Sequence, residues 1–145
     1  MLDNDNSFLI FELAGQKFAL PALNIEKVVR ACAVLNKDVS KKLCSGFLRV
    51  NEQDLPVIDL SAWLSLKETK ITPDKYHLVV SLAGNLAVIL VDNVYDLMNL
   101  PMLAGKSVHQ PSSKYTIYGL EKFSAFLIQV DQLLVDTKHL FSQAG

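Results

Sequence analysis

The sequence is poor in the residues that mark a chemical centre. It has only two cysteines, Cys32 and Cys44, and no CxxC spacing, so it carries neither a disulfide framework nor a zinc motif. They read as small, half-buried thiols of a reducing compartment. The six glycines are scattered. No GxGxxG or GxxxxGK[ST] phosphate cradle and no GxSxG nucleophile turn can be built from them. Of the three histidines, His77 is expected to open a strand, His109 to lie in a loop and His139 to sit in a C-terminal helix. None has a second ligand two to four residues away, so all three read as surface or partly buried residues, and no metal is expected. No apolar run approaches the roughly 18 residues of a membrane helix, and the longest, Leu86 to Val91, suits a strand. Met1 to Asn6 has neither the basic nor the apolar part of a signal peptide. A cytoplasmic protein without direct membrane insertion is the expectation. Charge of either sign is also lacking: 14 basic against 15 acidic residues give a net charge of -1. That leaves no broad basic face for nucleic acid.

What the chain does have is apolar residues in strand-like alternation. Its 145 residues, half of them hydrophobic and a fifth charged, fit one domain that needs no staple. After a loose start over residues 1–7, Phe8, Ile10 and Glu12 alternate with Leu9, Phe11 and Leu13. Both sets are mostly apolar, which places this strand between two packed layers. Ala14-Gly15-Gln16 reads as a hairpin turn and Lys17 to Leu20 as the returning strand, stopped by Pro21. Asn24 to Val29 begins another strand. Asp38 to Cys44 reads as a helical turn capped by Asp38 and ended by Gly46. Phe47 to Asn51 and Asp54 to Asp59 form a hairpin around Glu52-Gln53, and Leu60, Trp63 and Leu64 have helical spacing after Asp59 as cap. The polar stretch 67–75 is the best internal boundary.

The chain then repeats itself. Phe8–Arg30 lies over His77–Asn99 at an offset of 69: Leu9 meets Leu78, Leu13-Ala14-Gly15 meets Leu82-Ala83-Gly84, Ile25 meets Val94 and Val28 meets Leu97. At an offset of 70, Val57-Ile58 and the helix after it lie over Leu127-Ile128 and a second helix, which should run from Val130 to Phe141 with Val130, Leu133, Leu134 and Phe141 inward. Two units of about 70 residues, 8–66 and 76–134 within one domain 8–141, predict two small barrels sharing a core. Phe11, Leu20, Val57, Val80, Ile89 and Ile128 are the expected core. Asp54, Asp59, Asp92 and Asp96 are available as acid–base groups, yet strand-end and cap positions account for them, and nothing positive points to an enzyme.

Four segments in order resemble the CheW-like domain, the adaptor of bacterial chemosensory arrays. Phe18-Ala19-Leu20-Pro21 with Ile25-Glu26-Lys27-Val28 is similar to the family's aromatic-Ala-Leu-Pro and V-x-E-V pattern. Gly46 followed by Leu55-Pro56-Val57-Ile58-Asp59-Leu60 resembles its G…P-V-x-D-L signature. Leu90-Val91-Asp92-Asn93-Val94 and Val130 to Leu134 resemble the second-half strand and closing segment. The resemblance implies an all-β fold of two intertwined five-stranded SH3-like β-barrels with short helices, including the C-terminal one. It implies a non-catalytic protein without cofactors, a monomer on its own. The partners it implies are the regulatory domain of a CheA-like histidine kinase and the cytoplasmic tip of a methyl-accepting chemoreceptor. The candidate partner-binding residues are Ile25, Lys27, Val28, Gly46 and Asn51.

The chain departs from the pattern at some of these positions. Lys27 stands where the family has Glu, and the family's N-x-R-G is Arg49-Val50-Asn51-Glu52. These changes imply altered receptor specificity, with Glu52 as a rewired partner for Lys27. The reading from another class is a sensory barrel that binds a small molecule, which predicts a pocket with converging polar groups.

Overall fold

A computed structural model describes residues 7–35, 42–68, 70–99, 106–109, 114–119 and 124–141. The strands of the first half are β1 (Ser7–Leu13), β2 (Gln16–Pro21), β3 (Ile25–Arg30), β4 (Cys44–Val50) and β5 (Gln53–Ile58), followed by the single-turn helix α1 (Leu60–Trp63). The second half has β6 (Tyr76–Leu82), β7 (Asn85–Val91), β8 (Asn93–Asn99), β9 (Lys106–His109), β10 (Tyr115–Gly119) and β11 (Ser124–Ile128), then α2 (Val130–Thr137) and a 3-10 turn over Lys138–Leu140. The protein is all-β with short helices, as the sequence implies. Among the described residues no helix is long and apolar enough to cross a membrane.

The sheets do not follow the two sequence units; each takes strands from both. One runs β8-β1-β2-β11-β10-β9 and the other β3-β6-β7-β5-β4. The hairpin β1–β2 therefore leaves its own half and joins β8–β11, while β6–β7 joins β3–β5. Two parallel pairings seal the exchange. Leu127 of β11 sits beside Ala19 of β2, and Val57 of β5 beside Val88 of β7. Under the sequence offsets of 70 and 69 these are one and the same contact made twice. Each hairpin turns on a matching pair with positive φ, Ala14 (53°) with Gly15 (79°) and Ala83 (53°) with Gly84 (87°). These are the paired left-handed residues of a tight two-residue turn.

The closing contacts repeat as well. Beyond β3 the chain runs to Leu35, which bridges Phe47 of β4 by two backbone bonds of 2.7 and 2.8 Å and so joins the two edges of the five-stranded sheet. In the other sheet Ile117 of β10, seventy residues after Phe47, pairs with His109 of β9. The sixth strand is thus the counterpart of the Leu35 bridge, and His109 lies in a strand rather than a loop. Both sheets are the same barrel plan closed by the segment that follows their edge strand.

Alternation sorts the core into three parts. Leu9, Phe11 and Leu13 with Leu78, Val80 and Leu82 fill the space between the sheets, joined by Phe18, Ile89, Ile58 and Ile128. Phe8 and Ile10 pack with Ala19 and Leu127 on the other face of the first sheet. Val57, Val79 and Val88 do the same in the second. The six residues expected in the core are all buried, at 3% exposure or less. Leu133 and Leu140 anchor the C-terminal helix, and Val130, Leu134 and Phe141 pack against the core half-buried. Each such buried side chain stabilises the fold by about 1.5–3 kcal/mol. Asp59 caps α1 by accepting from Ala62 N at 3.1 Å, and Trp63 Nε1 donates to Asp136 Oδ2 at 2.7 Å, tying α1 to α2.

Three local expectations change. The helical turn over Asp38 to Cys44 lies mostly outside the described residues, but Cys44 and Gly46 belong to β4, so Gly46 ends no helix. Pairing with β5 and with Leu35 recruits this stretch into the sheet and overrides its local propensity. The β4–β5 hairpin turns at Asn51-Glu52, one residue earlier than the sequence suggests, with φ of 48° and 67°. Asn tolerates this region, whereas Glu carries a steric cost there. The two thiols are unequal, Cys44 buried and Cys32 exposed, and His77, read as a surface or partly buried residue, is wholly buried.

Two substitutions and one titration check these assignments. A Cβ on Gly46, whose φ is +141°, would lie 2.6 Å from the Leu35 carbonyl oxygen. Gly46→Ala should therefore cost about 2–4 kcal/mol in urea unfolding, and an unchanged midpoint would contradict the closing bridge. Glu52→Gly should stabilise the chain by about 0.5–1 kcal/mol by relieving the left-handed turn, measured the same way. Burial holds the pKa of His77 below its ordinary value of 6.5. The unfolded chain then binds this proton at a pH where the folded chain does not. Stability is complete above about pH 6.5 and declines as pH falls below it. Urea midpoints from pH 7.5 down to 5, compared with His77→Gln, should show that this part of the decline needs the imidazole.

Candidate functional site

Three of the four carboxylates considered for acid–base chemistry are engaged in structure, Asp59 as the cap of α1, while Asp96 is exposed on β8. Asp54 Oδ1 accepts from Arg49 Nη1 at 3.1 Å, within the β4–β5 hairpin. Asp92 Oδ2 accepts from Ala14 N at 2.8 Å, and its own N–H donates to Glu12 O at 2.9 Å. With Lys75 Nζ 3.4 Å from its other oxygen, Asp92 pins the turn of the first hairpin to the second half. Among the described residues no group of three His, Cys, Asp or Glu side chains comes together as a metal site.

The surface that stands out is apolar. β3 and β8 are edge strands of the two sheets, and together they flank an open groove of about 730 Å³. Its floor is Leu9 and Val94; Val28 stands on one side with Tyr76, and Tyr95, Asp96 and Leu97 on the other. Val28 is 40% exposed, Tyr95 38% and Leu97 61%. Edge strands usually hide such groups or replace them with charge, so three such side chains in one groove make this face the candidate contact surface. The groove follows from the exchange itself. Val28 and Leu97 are repeat equivalents, so the internal two-fold relation that builds the barrels also brings these two residues to face one opening.

Cations and hydroxyls fix the rim. Arg30 Cζ lies 4.8 Å from the Tyr76 ring centroid and Lys17 Nζ 5.3 Å from that of Tyr95. The Tyr95 hydroxyl donates to Glu12 Oε1 at 2.6 Å, and this bond to a carboxylate raises the pKa of the phenol above its usual 10.0. Both aromatic rings are thereby held in place by groups outside the groove's lining.

The five sequence-selected residues separate. Ile25, Lys27 and Val28 share β3, with Ile25 partly buried against the inter-sheet core, Lys27 exposed, and Val28 in the groove. A bulge at Glu26, between the pairs Ile25↔Val80 and Lys27↔Val79, leaves Glu26, Lys27 and Val28 all exposed. Gly46 is buried beneath Leu35, and Asn51 lies at the exposed tip of the β4–β5 hairpin. β3 and β4 are opposite edges of the sheet order, and no ion pair between Lys27 and Glu52 is present among the described residues. The rewired pair is therefore not formed. Sequence reasoning missed Tyr76, Val94, Tyr95 and Leu97. The match of Val28 with Leu97 in the repeat was the signal that could have found them.

The CheW-like domain family matches residues 7–140. The scaffolding protein TtCheW from Thermoanaerobacter tengcongensis has a similar structure, with a TM-score of 0.75 and 16% sequence identity over 86% of this chain and 89% of that one. No curated relative matches the chain by sequence. The exchanged hairpins and the family match over nearly the whole chain lead to one assignment: the chain belongs to the CheW-like domain family.

Proposed function

We propose that residues 8–141 act as one non-catalytic adaptor domain that couples chemoreceptors to a CheA-like histidine kinase in a chemosensory array. The carrying observation is the open groove between β3 and β8, where Val28 and Leu97 stand exposed beside the polar groups of Tyr95 and Asp96, a surface fit for a protein segment. An adaptor needs at least two separate contact surfaces. The groove is one, offered to the apolar side chains of a receptor tip; the β4–β5 hairpin end with Asn51, which contributes nothing to the groove's lining, is a second. Gly46 serves the second surface indirectly, by allowing the Leu35 bridge that holds β4.

Lys27 bears on specificity from beside the groove, outside its lining. It stands exposed on β3 between Glu26 and Val28, also exposed, and puts an ammonium where the family pattern has a carboxylate. Charge reversal at an interface acts on partner choice and association rate more than an exposed pair acts on the stability of one chain. A dedicated receptor carrying acid at the facing position, rather than a generic one, is the partner this edge fits. The work is done at the cytoplasmic side of receptor arrays.

Binding measurements test this reading. Leu97→Asp changes a side chain that is mostly in solvent, so melting should hold while affinity for the cognate receptor tip falls at least about tenfold, or ~1.4 kcal/mol. Equal affinity would remove the groove from receptor binding. Lys27→Glu should improve binding to generic receptor tips. The kinase regulatory domain should bind with a Kd of about micromolar order, near -8 kcal/mol, and Leu97→Asp should leave that value in place.

A further inference from the structure

A second cavity lies at one end of the β3–β7 barrel, away from the groove, beneath the linker that joins the two halves of the chain. It measures about 290 Å³. Val34, Val57, Leu90 and Ile71 form its apolar walls, with Ile71 contributed by the linker. Its polar lining is His77, Ser45, Glu68 and Lys70. The linker is held over it: Lys75 Nζ donates to Lys70 O at 2.7 Å, and Ala31 N donates to Lys75 O at 3.0 Å.

His77 is the unusual member. It is 0% exposed, and its Nδ1 accepts the Cys32 backbone N–H at 3.3 Å. An accepting Nδ1 places the proton of the neutral ring on Nε2. That Nε2 is buried and has no hydrogen-bond partner among the described residues. Native proteins seldom leave a buried donor unmatched without a ligand, ion or water to accept from it. Ser45, whose hydroxyl donates to Val57 O at 3.3 Å, is not a partner of Nε2 either. The cavity is thus lined by a histidine whose N–H donor is buried and unmatched, beside apolar walls, with an ammonium, Lys70, and a carboxylate, Glu68, at exposed positions of its lining.

We propose that this barrel end binds a short aliphatic monocarboxylate, its carboxylate accepting from His77 Nε2 and its carbon chain lying against Val34, Val57, Ile71 and Leu90. The volume suits a body of a few carbons, and barrel mouths are common places for such sites. Lys70 attracts the anion, and Glu68 disfavours a second carboxylate at the exposed end, so a monoacid is favoured over a diacid. The site does not depend on receptor or kinase binding, and its failure would leave the adaptor reading untouched.

The test uses the full chain labelled with nitrogen-15, at about pH 7.5, where simple carboxylates are ionised. Long-range spectra of the histidine rings should first show His77 with its proton on Nε2. Isovalerate should then move the His77 ring signals saturably in the millimolar range and leave those of His139 in place. Succinate should bind at least about tenfold more weakly. Ile71→Trp, a change at a partly exposed position of the lining, should weaken the isovalerate response about tenfold without altering the His77 tautomer or the melting temperature. No saturable shift at His77 would overturn the proposal, since water alone would then satisfy Nε2. An equal response to isobutanol, or undiminished binding in a folded Ile71→Trp protein, would overturn it too. Should Ile71→Trp melt early, Lys70→Ala takes its place, with weaker isovalerate binding expected and unchanged binding counting against the site.

Discussion

The structure depends on one interaction made twice, the parallel pairing of a hairpin strand from one half with the last strand of the other. Ala19 beside Leu127 and Val57 beside Val88 hold two hairpins in sheets to which they do not belong by sequence. Parallel neighbours cannot be joined by a tight turn, so the chain must travel a long way before either contact forms. Everything else follows from it. The hairpins are apolar on both faces because each is covered by its adopted barrel on one side and by the inter-sheet core on the other. The edge strands β3 and β8 are left to flank a common groove because the hairpins β1–β2 and β6–β7 have crossed between them.

Much of this was legible in the residues. The alternation from Phe8 to Leu13 shows a strand buried on two faces, and the overlay of Leu13-Ala14-Gly15 on Leu82-Ala83-Gly84 fixes two like turns. Asp59 declares its helix, and the core residues follow from the phase of the strands. The exchange was implied only by the family resemblance and was not legible in the strand pattern, because period-two patterning tells which face of a strand is buried and not which strand lies beside it. The turn at Asn51-Glu52 was missed by one residue because Glu is a poor occupant of a left-handed position. Gly46 resembled a helix stop, since the reason for that glycine is a carbonyl eleven residues earlier, brought close only by barrel closure.

The site was legible by halves. Val28 was found from the motif on β3, but an edge strand shows only its own side of a groove. Tyr76, Tyr95 and Leu97 come from strands far along the chain, and their exposure is a property of the assembled edges rather than of any local pattern. His77 was hidden for the converse reason. A lone histidine opening a strand reads as a surface or partly buried residue, and its full burial belongs to the assembled barrel rather than to its sequence neighbours.

The reciprocal exchange also bears on how such a chain could arise. Two separate copies of a single half, each with one hairpin and one closing set, would satisfy the same parallel pairings as a two-fold symmetric dimer with swapped hairpins. Joining them through residues 64–75 converts an assembly step that varies with concentration into an intramolecular one with a fixed effective concentration. Once fused, the halves are free to diverge. The Leu35 bridge in one barrel and the four-residue β9 in the other record that divergence, and so does a groove with valine on one bank and leucine on the other. A gene duplication thus turns a surface that was symmetric by necessity into one that can distinguish the two ends of whatever lies in it.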